Sequence, residues 1–209
     1  MSFLGASQSA FAQSANPGGA AYSAGGSAAS SAPAGGPDVT APAPGPLDPS
    51  QTGGRVAGQA NPALTPSVPG NVAKILPNGL AAAPAGAPAP VQQAIWAANR
   101  IIGLPYVYGG GHGAFVASGY DCSGTVSFAL HGANLLRTPM DSSEFMRWGQ
   151  RGTGQWITVY SNAGHAYMTI AGVRLDTSAA GDPSGAKGPR WRPVLRSSKH
   201  FRVRHLAGL

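Results

Sequence analysis

The sequence predicts an α+β fold for the C-terminal part of the chain, with helices first and antiparallel strands after them. Two observations on periodicity support this. Between Val91 and Ile102 the apolar residues recur at helical spacing, and from Gln155 onward they alternate with a period of two, as in strands. The third observation is their order, because helical segments followed by strand segments are typical of helices packed on an antiparallel sheet.

The first 89 residues differ from the rest in composition. They consist mostly of Gly, Ala, Ser and Pro and contain few large apolar side chains. Such a segment buries too little apolar surface to offset its ordering entropy. We therefore predict an arm over residues 1–89, disordered or extended on a partner, and a folded domain over residues 90–209. Residues 51–80 carry scattered apolar side chains and could dock on a partner or on the chain's own domain, although disorder is the stronger prediction for a free chain.

Start and stop signals delimit three predicted helices. The first covers residues 91–102, the second runs from residue 122 to about residue 132, and the third begins after residue 141. Asp121 is a suitable N-cap for the second helix. Asp141 and Glu144 have the spacing of a capping box at the start of the third helix.

Four strands follow from the alternation of apolar residues, and they are predicted at residues 155–161, 165–171, 173–177 and 201–205. A tight turn is expected at Ala171-Gly172, and residues 182–189 read as a polar loop.

The positive charge is concentrated in the C-terminal part. The chain has 14 Lys and Arg against 7 Asp and Glu, and basic residues crowd the stretch from Lys187 to Arg204. A basic surface favours an anionic partner such as a cell-wall polymer, a membrane surface or a nucleic acid, whereas the simpler interpretation is a solvated basic face. We rank nucleic acid low because the stretch lacks regular aromatic interleaving. No apolar run reaches the roughly 18 residues of a membrane span.

Cys122 is the only cysteine in the chain, so it forms no internal disulfide and no multi-thiolate metal site. It stands at the predicted start of the second helix, where the helix dipole lowers the pKa of a thiol and favours the nucleophilic thiolate. The simpler interpretation is a small buried residue. The glycine-dense loop before Cys122 and the Gly164-His165 dipeptide at the start of a later strand favour a nucleophile instead.

A cysteine nucleophile needs a base within hydrogen-bond reach and a third group that orients the base. We choose His165 as the base because it opens an apolar strand that can face a helix start. Asp176 and Thr177, across the tight turn, are candidate orienting groups. Asp176 is the better one, since a carboxylate fixes the imidazole tautomer and stabilises the imidazolium. The other histidines lie in the glycine loop, along the nucleophile helix or in the basic tail: His112, His131, His200 and His205.

These motifs together resemble a known family, the NlpC-type cell-wall cysteine peptidases, which are papain-like. The resemblance covers about residues 91–177 and rests on Pro105-Tyr106-Val107-Tyr108-Gly109-Gly110, on Tyr120-Asp121-Cys122-Ser123-Gly124 and on Gly164-His165. It implies Cys122 as the nucleophile and His165 as the base. It also implies that Tyr106, Asp121 and Ser123 line the cleft for the substrate's free amino end, with His112 and Thr177 as further candidate site-lining residues.

The chain departs from the family's pattern in three places. The third polar residue is usually His, whereas here Asp176 aligns if the turn is one residue short and Thr177 if it is not. The loop over residues 109–120 is longer than usual. Residues 154–157 replace the Gly-Asp-Leu start of the first strand. These departures concern the activity more than the fold.

The resemblance implies hydrolysis of amide bonds in peptidoglycan stem peptides, often the γ-D-glutamyl to diamino acid bond. The alternative is an inactive domain of the same fold that binds wall material or serves as a structural component. We expect no cofactor and no metal, because histidines and carboxylates lack paired spacing. The N-terminus lacks the basic start and unbroken apolar run of a secretory signal. Action outside the cytoplasm would then require delivery in a phage virion or tail, with the arm on neighbouring subunits, or an unrecognised signal.

Overall fold

The computed structural model describes residues 61–193 and 195–209, so the predictions for residues 1–60 lie outside this range. The described part contains three helices, α1 (Ala89–Asn99), α2 (Cys122–Gly132) and α3 (Ser142–Phe145). Its strands are β1 (Ser67–Val68), β2 (Lys74–Ile75), β3 (Ala81–Pro84), β4 (Gln150–Arg151), β5 (Ile157–Asn162), β6 (His165–Ile170), β7 (Val173–Asp176), β8 (Arg190–Arg192) and β9 (Arg202–His205). None of these helices is long and apolar enough to cross a membrane.

The main sheet has six strands in the order β4-β9-β5-β6-β7-β8, and every neighbouring pair is antiparallel. The β6–β7 connection is the tight turn that the sequence predicts, and both Ala171 (φ 47°) and Gly172 (φ 90°) adopt left-handed backbone. Helices α1 and α2 share one apolar core with the strands of this sheet. The α+β class predicted from the sequence is confirmed.

The helix starts follow local capping chemistry, as the sequence predicts. Asp121 caps α2, and its Oδ1 accepts a hydrogen bond of 2.7 Å from the backbone N–H of Gly124. At α3 the capping box is complete, because Asp141 accepts from the Glu144 N–H at 2.8 Å and Glu144 accepts from the Asp141 N–H at 2.7 Å. Helix α1 starts two residues before the predicted position and ends three residues earlier.

Residues 61–88 pack onto the folded unit, so the boundary predicted between residues 89 and 90 falls inside it. Strand β3 is buried along its whole length and pairs with β1 in parallel and with β2 in antiparallel fashion. The Ala/Pro-rich sequence read as a spacer because it lacks large apolar side chains. Alanine side chains are small enough, however, to bury the β3 backbone against α1, where Ala94 and Ala98 are fully buried.

Asn99, the last residue of α1, joins three distant parts of the chain. Its side chain is buried, with 2% of the residue exposed. The amide oxygen accepts from the Ala81 N–H at 3.0 Å and from the Trp191 indole N–H at 2.8 Å. The amide nitrogen donates to the carbonyls of Ala81 and Leu64 at 2.9 and 3.0 Å. The sequence analysis did not single out Asn99, because asparagine is common at the C-terminal ends of helices and therefore gave no signal of these contacts.

We expect Asn99→Leu to lower the free energy of unfolding by about 3–5 kcal/mol, because it leaves several buried backbone and indole groups without partners. Urea denaturation followed by circular dichroism measures the change. Gln93→Leu is the matched control, since Gln93 is an exposed amide on the same helix, and its effect should stay within about 0.5 kcal/mol. Equal midpoints for the two variants would contradict the role given to Asn99.

The basic residues are only in part a solvated face. Arg174 and Arg192 are buried, with 0% and 1% of the residue exposed. Arg192 lies in β8, a strand that the sequence analysis did not predict. Its guanidinium donates to Asp182 Oδ2 at 2.6 Å, to the Asp176 carbonyl at 3.0 Å and to the Ala186 carbonyl at 2.7 Å. The polar loop after β7 therefore supplies the acceptors that allow this cation to be buried.

Candidate active site

Cys122 is the first residue of α2, and the glycine loop packs against this helix end. The backbone N–H of Asp121 donates to the Gly110 carbonyl at 3.2 Å, and the N–H of Gly109 donates to Asp121 Oδ2 at 3.1 Å. A Cβ atom on Gly124 would collide with the Gly110 carbonyl oxygen. Glycine at position 124 therefore lets the loop close over the first turn of α2, beside the thiol.

The sheet register brings His165 and Asp176 to the same side. His165 opens β6 and Asp176 ends β7. Met168 pairs with Leu175, so Asp176 falls opposite Tyr167 and shares the face of His165, two residues away. The Nε2 atom of His165 lies 2.9 Å from Asp176 Oδ1.

The thiol of Cys122 and the imidazole of His165 are close enough for each to shift the pKa of the other. Because Nε2 is engaged with Asp176, Nδ1 is the ring atom left to face the sulfur. The structure thus brings Cys122, His165 and Asp176 together from α2, β6 and β7. Thr177, the other candidate orienting group, is buried beside them, and its carbonyl accepts from the Gly188 N–H at 3.2 Å.

The two reactive groups hold each other in their charged forms. Burial raises the pKa of the Cys122 thiol, but hydrogen bonds from His165 and the Ala166 N–H, with the nearby imidazolium charge, lower it below its ordinary value. Burial lowers the pKa of His165, whereas hydrogen bonds and charges from Asp176 and Cys122 raise it to about 9. Each group therefore favours the charged form of the other, and the imidazolium is lost as the pH rises through about 9.

Asp176 has a fully buried side chain, three hydrogen-bond donors and one further cation nearby. Besides His165, it accepts from the Ser178 N–H at 2.8 Å and from Arg196 Nη1 at 3.1 Å. Arg174 Nε lies 3.6 Å from Asp176 Oδ2. Burial raises the pKa of the carboxyl, but the hydrogen bond and charge of His165, with the other donors, lower it below the ordinary value. The third residue is thus a carboxylate held ionised.

A groove of about 330 Å³ opens in front of the thiol. One wall carries the polar residues that the sequence analysis assigned to substrate binding or site lining, namely Tyr106, His112, Asp121 and Ser123. The other wall consists of residues 141–143 at the start of α3 and residues 163–164 between β5 and β6. Four of the five residues predicted to bind substrate or line the site therefore reach the groove that contains Cys122, whereas Thr177 does not line it.

His112 ties this wall together. Its Nε2 lies 2.9 Å from Ser123 Oγ and 3.1 Å from Asp121 Oδ1. Burial, followed by the charge of Cys122, raises the pKa of the Tyr106 hydroxyl, which stays protonated and can donate a hydrogen bond.

His131 lies outside the groove: its ring stacks on Phe115 at 3.7 Å, and its Nδ1 lies 3.0 Å from the Leu136 carbonyl oxygen. Within the described residues, no cluster of three or more His, Cys, Asp or Glu is arranged to hold a metal ion.

Sequence reasoning missed the arginines behind the site. Arg174 stands between the buried apolar residues Val173 and Leu175, and this was a signal that could have pointed to an internal ion pair. Arg196 lies in an irregular segment and gave no local signal. Arg174 lies two residues before Asp176 on the same strand, whereas Arg196 reaches Asp176 from the segment that follows β8, the neighbour of β7.

No protein-family model and no curated protein matches this chain. Among solved structures, the peptidoglycan hydrolase RipB from Mycobacterium tuberculosis is similar, with 22% sequence identity and a TM-score of 0.41. The alignment covers 55% of this chain and 64% of the RipB chain, so it spans less than two thirds of that protein.

Proposed function

We propose that the chain is a papain-like cysteine peptidase of the NlpC type, which hydrolyses amide bonds in peptidoglycan stem peptides. One observation carries the proposal. A lone thiol at a helix start lies close enough to His165 for each group to shift the pKa of the other, and His165 Nε2 lies 2.9 Å from the buried Asp176. This is the relation of nucleophile, base and orienting group that acyl transfer requires. The resemblance of the sequence motifs supplies the substrate class.

In the proposed mechanism, the Cys122 thiolate attacks the amide carbonyl in the groove. Backbone N–H groups at the start of α2 stabilise the oxyanion of the tetrahedral intermediate. The imidazolium of His165 donates its proton to the leaving amine, and an acyl thioester remains on Cys122. His165 then takes a proton from water, which hydrolyses the thioester and restores the thiol. Asp176 keeps the imidazole in place and stabilises its charged form through the cycle.

The groove walls favour a substrate that carries an amino group near the cut bond. Asp121 and Asp141 line the groove from opposite walls, and Tyr106 and Ser123 add hydroxyl groups. Carboxylates beside hydroxyl acceptors suit an ammonium group, which has three donors and no acceptor. Stem peptides carry such groups, and the two walls would hold one of them close to Cys122.

The test is incubation of purified peptidoglycan with the full chain, followed by mass spectrometry of the soluble products. We expect stem-peptide fragments with newly exposed amino groups and intact glycan strands. Cleaved glycan strands with intact stems would contradict the peptidase assignment. An unchanged wall preparation, with a thiol that still reacts readily at neutral pH, would remove the wall peptide as substrate and leave the nucleophile in place.

A second candidate is binding to an anionic wall polymer, with catalysis weak or absent. A groove of about 490 Å³ is lined by four arginines, Arg147, Arg151, Arg202 and Arg204. None of these four takes part in an ion pair among the described residues. An uncompensated positive groove attracts polyanions and loses them at high salt.

We expect the double variant Arg151→Glu/Arg202→Glu to bind intact cell walls at least about tenfold more weakly at low salt. Both side chains are exposed, whereas Arg204 is left unchanged because its Nε holds the Met146 carbonyl at 2.7 Å. Lys74→Glu/Lys187→Glu changes the net charge equally at exposed sites outside the groove. Cosedimentation with cell walls measures binding. An equal loss of binding in both double variants would show that net charge, and not the groove, accounts for binding.

A further inference from the structure

We propose that Arg196 is a positioning residue that limits the stability of the His165 imidazolium by competing for the same carboxylate. The inference builds on the roles proposed for Cys122 and His165. It concerns a residue outside the groove that touches neither the thiol nor the proposed substrate.

Arg196 is held in one place by an ion pair and two aromatic rings. Its Nη1 lies 3.1 Å from Asp176 Oδ2, while Oδ1 of the same carboxylate faces His165. The guanidinium carbon lies 5.1 Å from the centre of the Tyr167 ring and 5.3 Å from that of Phe201. Only 22% of the side chain is exposed. A guanidinium in contact with a carboxylate and two rings keeps a fixed orientation and a fixed charge.

The aromatic rings connect Arg196 to the imidazole itself. The Phe201 ring centre lies 5.1 Å from that of Tyr167 and 6.3 Å from that of His165. Arg196, Phe201 and His165 therefore occupy one contiguous layer over the end of the sheet. A change in the charge at position 196 therefore acts on His165 over a short distance.

The charges around Asp176 are unbalanced. The charged and titratable groups that face the His165–Asp176 pair are Cys122 on α2, Tyr167 on β6, Arg174 on β7, Arg192 on β8 and Arg196 after β8. Of these, Arg192 bonds to the Asp176 backbone carbonyl and pairs with the Asp182 carboxylate. Two permanent cations thus share one carboxylate with the imidazole. Each cation weakens the electrostatic stabilisation that the carboxylate gives to the imidazolium, because like charges disfavour each other.

The sign of the effect follows from this arrangement. Loss of the Arg196 charge leaves Asp176 with one cation fewer, so the imidazolium becomes more stable and the pKa of His165 rises further above its ordinary value. Because Arg196 contacts Oδ2 and His165 contacts Oδ1, the two groups interact through one carboxylate in a partly solvated site with an intermediate effective dielectric. We expect a rise of about one pH unit. If Arg196 only packed against the rings, its replacement would leave the midpoint of the His165 titration unchanged.

The experiment is an NMR titration of the His165 imidazole in the full chain between pH 5 and 11. Arg196→Met removes the charge and keeps an apolar stem against the rings, whereas Arg196→Lys keeps the charge. Arg202→Met is the matched control, since Arg202 adjoins Phe201 and makes no ion pair with Asp176. We expect a rise of about one pH unit for Arg196→Met and less than half of that for the other two variants.

An unmoved or lowered midpoint in Arg196→Met would overturn the proposal, because it would show that Arg196 only packs or that it holds Asp176 in place. If Arg196→Met does not fold, as judged by its thermal transition, Arg196→Gln serves in its place under the same criteria. The titration needs no wall substrate. A chain that shows the shift but releases no stem peptides would retain this inference and lose the proposed hydrolytic function.

Discussion

Cys122→Ala should lower the release of stem peptides from purified peptidoglycan by at least about 10⁴-fold, because it removes the only thiol in the chain. Cys122 stands at the start of α2, where His165 and the Ala166 N–H lower the pKa of its thiol, so no other side chain can replace it as the nucleophile. The measurement is the initial rate of product formation by mass spectrometry.

Two further variants sharpen this test. Cys122→Ser keeps the shape of the side chain and should be nearly as inactive, because the Ser hydroxyl stays protonated in a site built for a thiolate. Ser127→Ala is the matched control on the same helix, where Ser127 exchanges hydrogen bonds with the Met140 backbone away from the groove. Its rate should stay near that of the unaltered chain. Release by Cys122→Ala at the unaltered rate would end the cysteine-peptidase proposal.

Asp176→Asn should lower the same rate by about 10²- to 10⁴-fold, since an amide cannot stabilise the imidazolium. The expected pH dependence of the rate follows from the pKa of His165. In the unaltered chain the pKa of His165 is raised to about 9, chiefly by Asp176 against the opposing effect of burial. Without the carboxylate, burial dominates, and His165 loses its proton at lower pH. The loss of rate should therefore deepen as the pH rises from about 6 to 9.

The control for this variant is Asp182→Asn. Asp182 pairs with buried Arg192 at 2.6 Å and lies outside the groove, so the variant also breaks an ion pair with a buried arginine. Both variants should lower the unfolding midpoint, because each leaves a buried guanidinium less well paired. Only Asp176→Asn should change the rate per folded molecule and its pH profile. A similar rate loss in both would assign Asp176 to stability alone.

Much of the site was predictable because its signals are local. The N-cap of α2 involves Asp121 and Gly124, three residues apart, and the hairpin that leads to Asp176 is encoded by Ala171-Gly172. A lone cysteine after a glycine loop and a histidine opening an apolar strand are visible without coordinates. From the sequence, the choice between Asp176 and Thr177 depended on the alignment of one turn. The β6–β7 register places Asp176 against His165.

The sequence by itself determined the α+β class, the starts of α2 and α3, the hairpin and the candidate nucleophile and base. Each depends on contacts within a few residues or on periods of 3.6 and 2. Only the tertiary structure decided that β3 is a core strand, that Asn99 bonds to Trp191 across 92 positions, and that Arg196 meets Asp176. Such contacts depend on how the whole chain packs, so a small Ala, a polar Asn and an irregular Arg carry no local sign of where they lie.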